Sequence, residues 1–324
     1  MTSDIHGRSF KKLRVSLTHE CNYHCLYCSD NQSNSHSQTK NLQIKDGVIG
    51  KILPTAELIQ MIQKLNTELH LETLRLTGGE PLLHPDLVSI VSAVKQMGIK
   101  TIAITTNGHY FFSKAEQLRN AGLDSVNISL DAVDEVTFKQ ISRHAGLSNV
   151  INSIDTAIEL GLNVKINAVI LKGQNSNQIL PLLEFAQKRN IVIRFIELMA
   201  MGPLHNTQKE LLFAMNDILS IIEEKYTIKP TIRESNATAN YWNIDDKKAF
   251  GIIANTSEPF CTDCNRLRLD SYGNIFGCLS NLKARPLHKT IQKDELNETL
   301  AYAMQDKQSI HFIGNTKTMQ SIGG

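Results

Sequence analysis

The stretch Leu13-Arg14-Val15-Ser16-Leu17-Thr18-His19-Glu20-Cys21-Asn22-Tyr23-His24-Cys25-Leu26-Tyr27-Cys28 runs a short apolar segment straight into three closely spaced cysteines. Leu13–Leu17 reads as a β-strand, and the cysteines follow its C-terminal end as C-x3-C-x2-C. The remaining cysteines, Cys261, Cys264 and Cys278, form C-x2-C-x13-C, so all six fall into two triplets. Short spacing lets one loop aim several thiolates at one point, as a metal centre requires. Structural zinc and ordinary iron–sulfur clusters take four protein ligands. A triplet therefore leaves one position open, where a small molecule can bind. Zinc completed by His19 or His24 is the rival occupant of the first triplet, and zinc is a rival at the second.

From Leu13 to Met199 strand-like runs recur at Thr73–Thr77, Thr101–Thr105, Ser125–Leu130, Asn163–Ile170 and Ile191–Leu198. Helical patterns lie between them: Leu58, Ile59, Met61, Ile62 and Leu65; Leu87, Ile90, Val91 and Val94; Val150, Ile154 and Ala157; Ile179, Leu182, Leu183 and Ala186. Six such units predict a parallel sheet covered by helices. They fill three-quarters of an eight-stranded barrel, with doubly wound order as the alternative. After Met199 the pattern changes to a helix near Met215–Glu224 and short strands at Thr227–Arg233, Tyr241–Ile244, Ala249–Ile253, Arg266–Asp270 and Ile275–Cys278. That change predicts a barrel over residues 1–226 and a smaller α+β domain over 227–324. The polar stretch Ser29–Asp46 reads as a loop beside the first triplet.

The 324 residues are 41% hydrophobic and 20% charged, with a net charge of +2. This is an ordinary globular composition, and no global field selects nucleic acid or a membrane. No apolar run reaches bilayer length, and Met1–Phe10 carries no apolar signal region. A cytoplasmic location is expected, where reducing conditions disfavour disulfides.

Ligands of parallel βα folds sit at the C-terminal strand ends. There this chain places the first triplet, Gly78-Gly79-Glu80-Pro81, Thr105-Thr106-Asn107-Gly108, Ser129-Leu130-Asp131 and Glu197-Leu198-Met199. Strand alternation puts Thr73, Arg75 and Thr77 on one face, Lys165 and Asn167 on one face, and Arg266 with Arg268 opposite Leu267 and Leu269. The lumen is expected to hold Arg75 and Lys165, with Arg266 and Arg268 approaching from the second domain. Several fixed cations around one cavity suit a polyanion such as a nucleoside triphosphate.

Cys21-x3-Cys25-x2-Cys28, with Tyr27 before the last cysteine and Gly78-Gly79-Glu80-Pro81 at the next strand end, resembles the radical S-adenosylmethionine (SAM) signature. The match narrows further. Asp4-x-x-Gly7-Arg8, Leu13–Thr18, Leu74–Leu82, Arg194–Met199, Phe260–Leu269 and the tail Met319–Gly324 resemble the GTP 3′,8-cyclase family of molybdenum cofactor biosynthesis.

The resemblance implies a partial (β/α)6, TIM-like barrel with a C-terminal α+β iron–sulfur domain, each triplet holding a [4Fe–4S] cluster. It assigns SAM contacts to Tyr27, Gly78, Gly79, Glu80, Ser129 and Met199. It assigns GTP contacts to Arg14, Arg75, Thr105, Lys165, Arg266, Leu267 and Arg268. Catalytic roles fall to Arg14, Arg266, Arg268, Gly323 and Gly324. It further implies an electron donor of flavodoxin or ferredoxin type and a downstream cyclic pyranopterin monophosphate synthase, and it leaves room for a homodimer. Departures from the family pattern stand at His19, Ser29, Asp30, Thr73 and Asn31–Ile49, and they bear on substrate preference. The alternatives are a radical SAM paralogue acting on another nucleotide or a peptide, and a non-catalytic zinc or iron–sulfur protein.

Overall fold

Six apolar runs become strands β1 (Lys12–Ser16), β2 (Thr73–Thr77), β3 (Thr101–Thr106), β4 (Ser125–Ser129), β5 (Asn163–Ile170) and β6 (Val192–Glu197). In this computed structural model residues 4, 7–29, 52–281, 283–287, 292–308, 312–316 and 318–321 are described. The departures at Asp30 and Asn31–Ile49, most of the expected Ser29–Asp46 loop, and Gly323 with Gly324 lie outside them.

Each strand lies within one residue of its expected bounds, because alternation of apolar and polar residues fixes which segments can be half-buried in a sheet. Leu74, Leu76, Ile102, Ile104, Val126, Ile128, Val164 and Ile166 turn outward into one core with the helices. Each such side chain contributes roughly 1.5–3 kcal/mol on burial. The covering helices are α1 (Thr55–Leu69), α2 (Leu87–Gln96), α3 (Phe111–Asn120), α4 (Glu135–Ser142), α5 (Leu147–Glu159) and α6 (Ile179–Lys188). Two of them, α3 and α4, were not expected. Each buries only three residues: Phe111, Ala115 and Leu118 in α3, and Phe138, Ile141 and Ser142 in α4. A face that sparse gives little periodic signal. Asp134 caps α4 by accepting the Thr137 amide at 2.8 Å.

Strands β1 to β6 pair in sequential order and in parallel, which is the barrel arrangement and not the doubly wound one. Beyond β6 come α7 (Gln208–Leu211), α8 (Met215–Glu223), β7 (Ile228–Pro230), β8 (Asn240–Ile244) and β9 (Lys247–Ile253). They are followed by β10 (Arg266–Leu269), β11 (Asn274–Phe276), β12 (Arg285–Pro286) and α9 (Lys293–Gln305). The C-terminal strands join the same sheet. β9 pairs parallel to β6 at one edge, and β10 pairs parallel to β1 at the other. Eight consecutive parallel strands result, in the order β10-β1-β2-β3-β4-β5-β6-β9, with antiparallel ribbons outside them. The sheet stays open, since β9 and β10 end the parallel run on opposite sides.

Polarity follows from this register. The first triplet leaves β1 at its C-terminal end. The loop 254–265 descends from the C-terminal end of β9 to the start of β10, which lies at the opposite pole because β10 runs parallel to β1. Cys261 and Cys264 sit on that descending loop. Cys278 follows β11, which runs antiparallel to β10 and so ends at the same lower pole. The two triplets therefore face each other along the barrel axis.

Candidate functional site

At the upper pole the Gly-Gly turn packs backbone against backbone on the segment leading to Cys21. Gly79 N donates to Thr18 O at 2.6 Å and Glu80 N to Glu20 O at 2.7 Å. A Cβ on Gly79 would overlap Glu20 O, and Gly78, at φ 144°, would overlap Thr18 O. Both glycines are thus required by close approach. Glu80 is fully buried and holds the turn with three acceptor contacts: from Leu82 N (3.0 Å), Thr106 Oγ1 (2.7 Å) and Asn107 N (2.8 Å). Burial nevertheless pushes its carboxyl up to about 7.

Cys21 Sγ accepts from Tyr23 N at 3.4 Å, and Cys28 accepts from the backbone N–H of Gln320 on the C-terminal segment. Burial raises all three thiols, to about 11 at Cys21 and about 12 at Cys28; Glu80 adds to it at Cys21, Asp131 and both other cysteines at Cys25, and Cys21 at Cys28. Asn22 Nδ2 lies buried beside Cys21 with no acceptor among the described residues, a donor suited to a cluster sulfide. Three free thiols within eight residues of one loop, with an unpartnered donor beside the first, are the donor set of a three-cysteine iron–sulfur cluster. Tyr27 donates to Asp131 Oδ2 at 2.8 Å, and Val169 N donates to Asp131 Oδ1 at 2.8 Å. Burial lifts the Asp131 carboxyl to about 6.

At the lower pole the charges reverse. Cys264 Sγ accepts from Arg266 Nη2 at 3.2 Å and from Lys307 Nζ at 3.3 Å. Burial would raise this thiol, but Arg266 and Lys307 outweigh it and bring it down to about 6. Cys261 is raised to about 11 by burial and by its two partner cysteines. Arg8, paired with Asp4 at 2.6 Å, donates to Cys261 O at 2.8 Å, which explains the N-terminal Asp4-x-x-Gly7-Arg8 motif. The donor set at this pole also fits a cluster with three thiolate ligands.

Between the poles lies a cavity of about 1340 Å³, open solvent at its mouth included. Tyr27, Met199 and Met201 line its upper end and Cys261, Cys264 and Cys278 its lower end. Arg14, Thr105, Arg266 and Arg268 line it as well. The register sets Arg268, Arg14 and Arg75 side by side on β10, β1 and β2. Burial and mutual repulsion depress them: Arg14 well below its usual value, by burial and then by Arg268, Arg266, Arg75 and Arg194. Arg268 falls to about 10 through burial and Arg266. Arg75 falls to about 9 through burial, Arg194 and Arg266, and it donates to Thr105 Oγ1 at 3.3 Å.

Other expected residues lie near the cavity without lining it. Lys165 is paired in register with Asn127, and Ser129 with Asn167, on the lumen side of the sheet. Gly78, Gly79 and Glu80 stand behind the Cys21 segment. Leu267 turns away from the cavity into the hydrophobic core. His19 stacks on Tyr272, with ring centroids 6.0 Å apart, and Thr73 pairs in register with Lys12, which itself pairs with Arg266.

The structure adds residues that carry no role in the sequence reading. Arg194 lines the cavity, its Nε and Nη2 held by Asn167 Oδ1 at 3.0 and 2.7 Å. Its alternation with Ile193 and Phe195 was a usable signal. Lys307 and Phe312 arrive from the C-terminal segment with no local signal. Glu197, fully buried, accepts from Met215 N, Thr256 N, Ser257 N and the Ser257 hydroxyl, and so fastens α8 and the descending loop to the end of β6.

Residues 15–186 match the Radical SAM superfamily, and residues 191–313 match Molybdenum Cofactor Synthesis C. A GTP 3′,8-cyclase of Corynebacterium glutamicum is 36% identical across 99% of this chain and 89% of the relative. Those of Syntrophomonas wolfei and Aquifex aeolicus are each 33% identical, covering 99% and 95% of this chain and 99% and 94% of the relatives. Among solved structures, Streptococcus suis SuiB bound to S-adenosylmethionine has the same fold at TM-score 0.67 and 15% identity, over 92% of this chain and 68% of that one. Members of the superfamily carry a [4Fe–4S] cluster and use SAM, in keeping with the first triplet and its Gly-Gly turn. With both halves matched and its relatives aligned end to end, the chain belongs to the radical SAM superfamily and, within it, to the GTP 3′,8-cyclase family.

Proposed function

We propose that this chain converts GTP to (8S)-3′,8-cyclo-7,8-dihydroguanosine 5′-triphosphate, the first step of molybdenum cofactor biosynthesis, as a radical SAM lyase. The observation that carries this reading is the row of arginines between two opposed cysteine triplets, in a chain matched throughout by GTP 3′,8-cyclases. Cys21, Cys25 and Cys28 hold the first cluster, with Tyr27, Gly78, Gly79, Glu80, Ser129 and Met199 about the cosubstrate. Cys261, Cys264 and Cys278 hold a second [4Fe–4S] cluster. When bound there, the cluster and SAM would together supply the one-electron chemistry by which a hydrogen atom leaves the ribose 3′ carbon.

The chain's own residues do the rest. Arg14, Arg75, Lys165, Arg266 and Arg268, with Thr105, grip the triphosphate. The depressed basicity of Arg14, Arg75 and Arg268 means that a polyanion relieves repulsion already present among them. Arg194, fixed by Asn167, adds a further cation. Lys12 stands beside Thr73 in register and adds a further cation on that face of the sheet. Val169, Ile196, Met199, Met201 and Phe312 keep water from the reacting carbon. Gly323 and Gly324 keep the catalytic role that the resemblance implies, and the C-terminal segment before them reaches the first triplet through Gln320. In this reading residues 1–226 form the barrel that carries the SAM chemistry, and residues 227–324 add the second cluster with Arg266 and Arg268. A flavodoxin or ferredoxin delivers the electron, and a cyclic pyranopterin monophosphate synthase takes the product.

The test is anaerobic reconstitution followed by incubation with reductant, SAM and GTP. About eight irons per chain, two four-iron clusters, are expected, with GTP consumed in step with 5′-deoxyadenosine release. Release of 5′-deoxyadenosine with GTP left intact would overturn the proposal.

A further inference from the structure

Lys307 lies just beyond the last turn of α9, and its ammonium is committed in all three directions. Nζ donates to Arg266 O at 2.9 Å, to Gly277 O at 2.7 Å and to Cys264 Sγ at 3.3 Å. Three is the full donor capacity of a lysine. The residue is only 8% exposed, with Nζ 5.4 Å from the centroid of the Phe10 ring. A lysine buried without acceptors is expensive, so these surroundings are built for the charge. Gly277 makes the approach possible. A Cβ there would overlap Ala303 O and press on Lys307 Cγ at 3.0 Å, so the bare glycine lets the end of α9 deliver the ammonium.

Cys264 thus accepts from two cations of different kinds. Arg266 lines the cavity with its guanidinium 5.0 Å from the Phe260 ring, where a bound triphosphate can draw it away. Lys307 borders the same cavity but is tied to two backbone carbonyls, on β10 and just beyond β11, as Arg266 is not. At the first triplet the charged partners are Asp131, Glu80 and the thiols themselves.

We propose that Lys307 is a positioning residue for the second cluster: a permanent buried cation that fixes Cys264 and raises that cluster's reduction potential above the first cluster's, with or without substrate. Charge and hydrogen bonds at the ligand sulfurs are what set such potentials, because the reduced cluster carries one more negative charge. This rests on the second triplet holding a cluster, as proposed above.

The test uses the full chain, reconstituted anaerobically as wild type, Lys307→Gln and Lys307→Arg. Each is titrated with reductant and followed by electron paramagnetic resonance, with added SAM marking the first cluster by its spectral change. Lys307→Gln is expected to keep about eight irons and to shift only the SAM-insensitive signal to more negative potential. Lys307→Arg is expected to return most of that shift. An unmoved potential in Lys307→Gln, or an equal shift in the SAM-sensitive signal, overturns the proposal. If Lys307→Gln instead loses four irons, Lys307→Arg decides. Retention of both clusters at wild-type potential supports the role of charge, and loss of four irons there too reduces Lys307 to a packing position and overturns it. A wild-type protein holding only four irons would bring down the two-cluster reading itself, a failure recognisable before any variant is compared.

Discussion

Around Cys21, Cys25 and Cys28 the charged neighbours are the carboxyls Glu80 and Asp131; around Cys264 they are Arg266 and Lys307. The two triplets share a ligand count, but the fields on them have opposite sign. A centre among buried carboxyls resists gaining negative charge and, once reduced, gives its electron up readily. A centre among cations holds electron density and favours anionic or electron-rich ligands. The lumen between them is therefore polarised along its axis, with the arginine row on its wall.

The largest effects test whether the poles have separate tasks. Cys25→Ala is expected to lower 5′-deoxyadenosine release to background. Cys264→Ala should retain SAM cleavage and lose GTP conversion, both read by chromatography after anaerobic incubation. If Cys264→Ala also abolished SAM cleavage, the division of labour would be wrong.

Next comes the arginine row. Arg14→Met is expected to cut turnover about 10²-fold, the scale of losing one fixed charge-stabilising donor. The same change should raise ligand-free stability by about 1–3 kcal/mol, as replacing a buried charge with an apolar isostere can. Thermal unfolding beside steady-state kinetics reads the two opposed signs. A fall in both would mean that Arg14 is structural.

Two glycines then sharpen the contrast by position. Gly79→Ala forces a Cβ onto Glu20 O and should cost the first cluster its four irons. Gly277→Ala forces one onto Ala303 O and should cost the second its own. Each overpacking costs about 1–3 kcal/mol, and iron analysis with resonance spectra shows which cluster is lost.

The smallest effect is on pH dependence. Glu80 is raised from 4.5 to about 7, so the folded chain binds more protons than the unfolded chain between those values. Its contribution is complete below pH 4.5 and is lost as pH rises through 7, by at most about 3 kcal/mol. Arg75, depressed to about 9, acts in the opposite sense, and its penalty is relieved as pH climbs above that value. Glu80→Gln should flatten the acid-side slope of denaturant-derived stability and leave the alkaline side unchanged.

The sequence carried the strands well because period-2 alternation is local, and Thr73–Thr77 and Asn163–Ile170 were legible to the residue. It carried α3 and α4 poorly because each buries too few residues to show a period. The upper pole was legible for the same local reason: cysteines, Gly-Gly turn and Tyr27 all follow strand ends. Arg266 and Arg268 line the cavity as alternation suggested and Arg14 as the resemblance implied, whereas Leu267 turns into the core. Lys307 could not be found, because its partner Cys264 is 43 residues away and the approach depends on Gly277.

The spacing of the two cysteine triplets and the alternation of the cationic strands were legible in sequence alone, since each depends on a few neighbouring residues. Tertiary structure decided where the second triplet stands. β9 and β10 pair with opposite edges of the six-strand sheet, so the loop joining them descends to the far pole and carries Cys261 and Cys264 with it. That pairing joins Lys12 to Arg266 and Ile193 to Phe250 across long stretches of chain. Register between distant strands is set by burial of the whole sheet, and no local pattern encodes it.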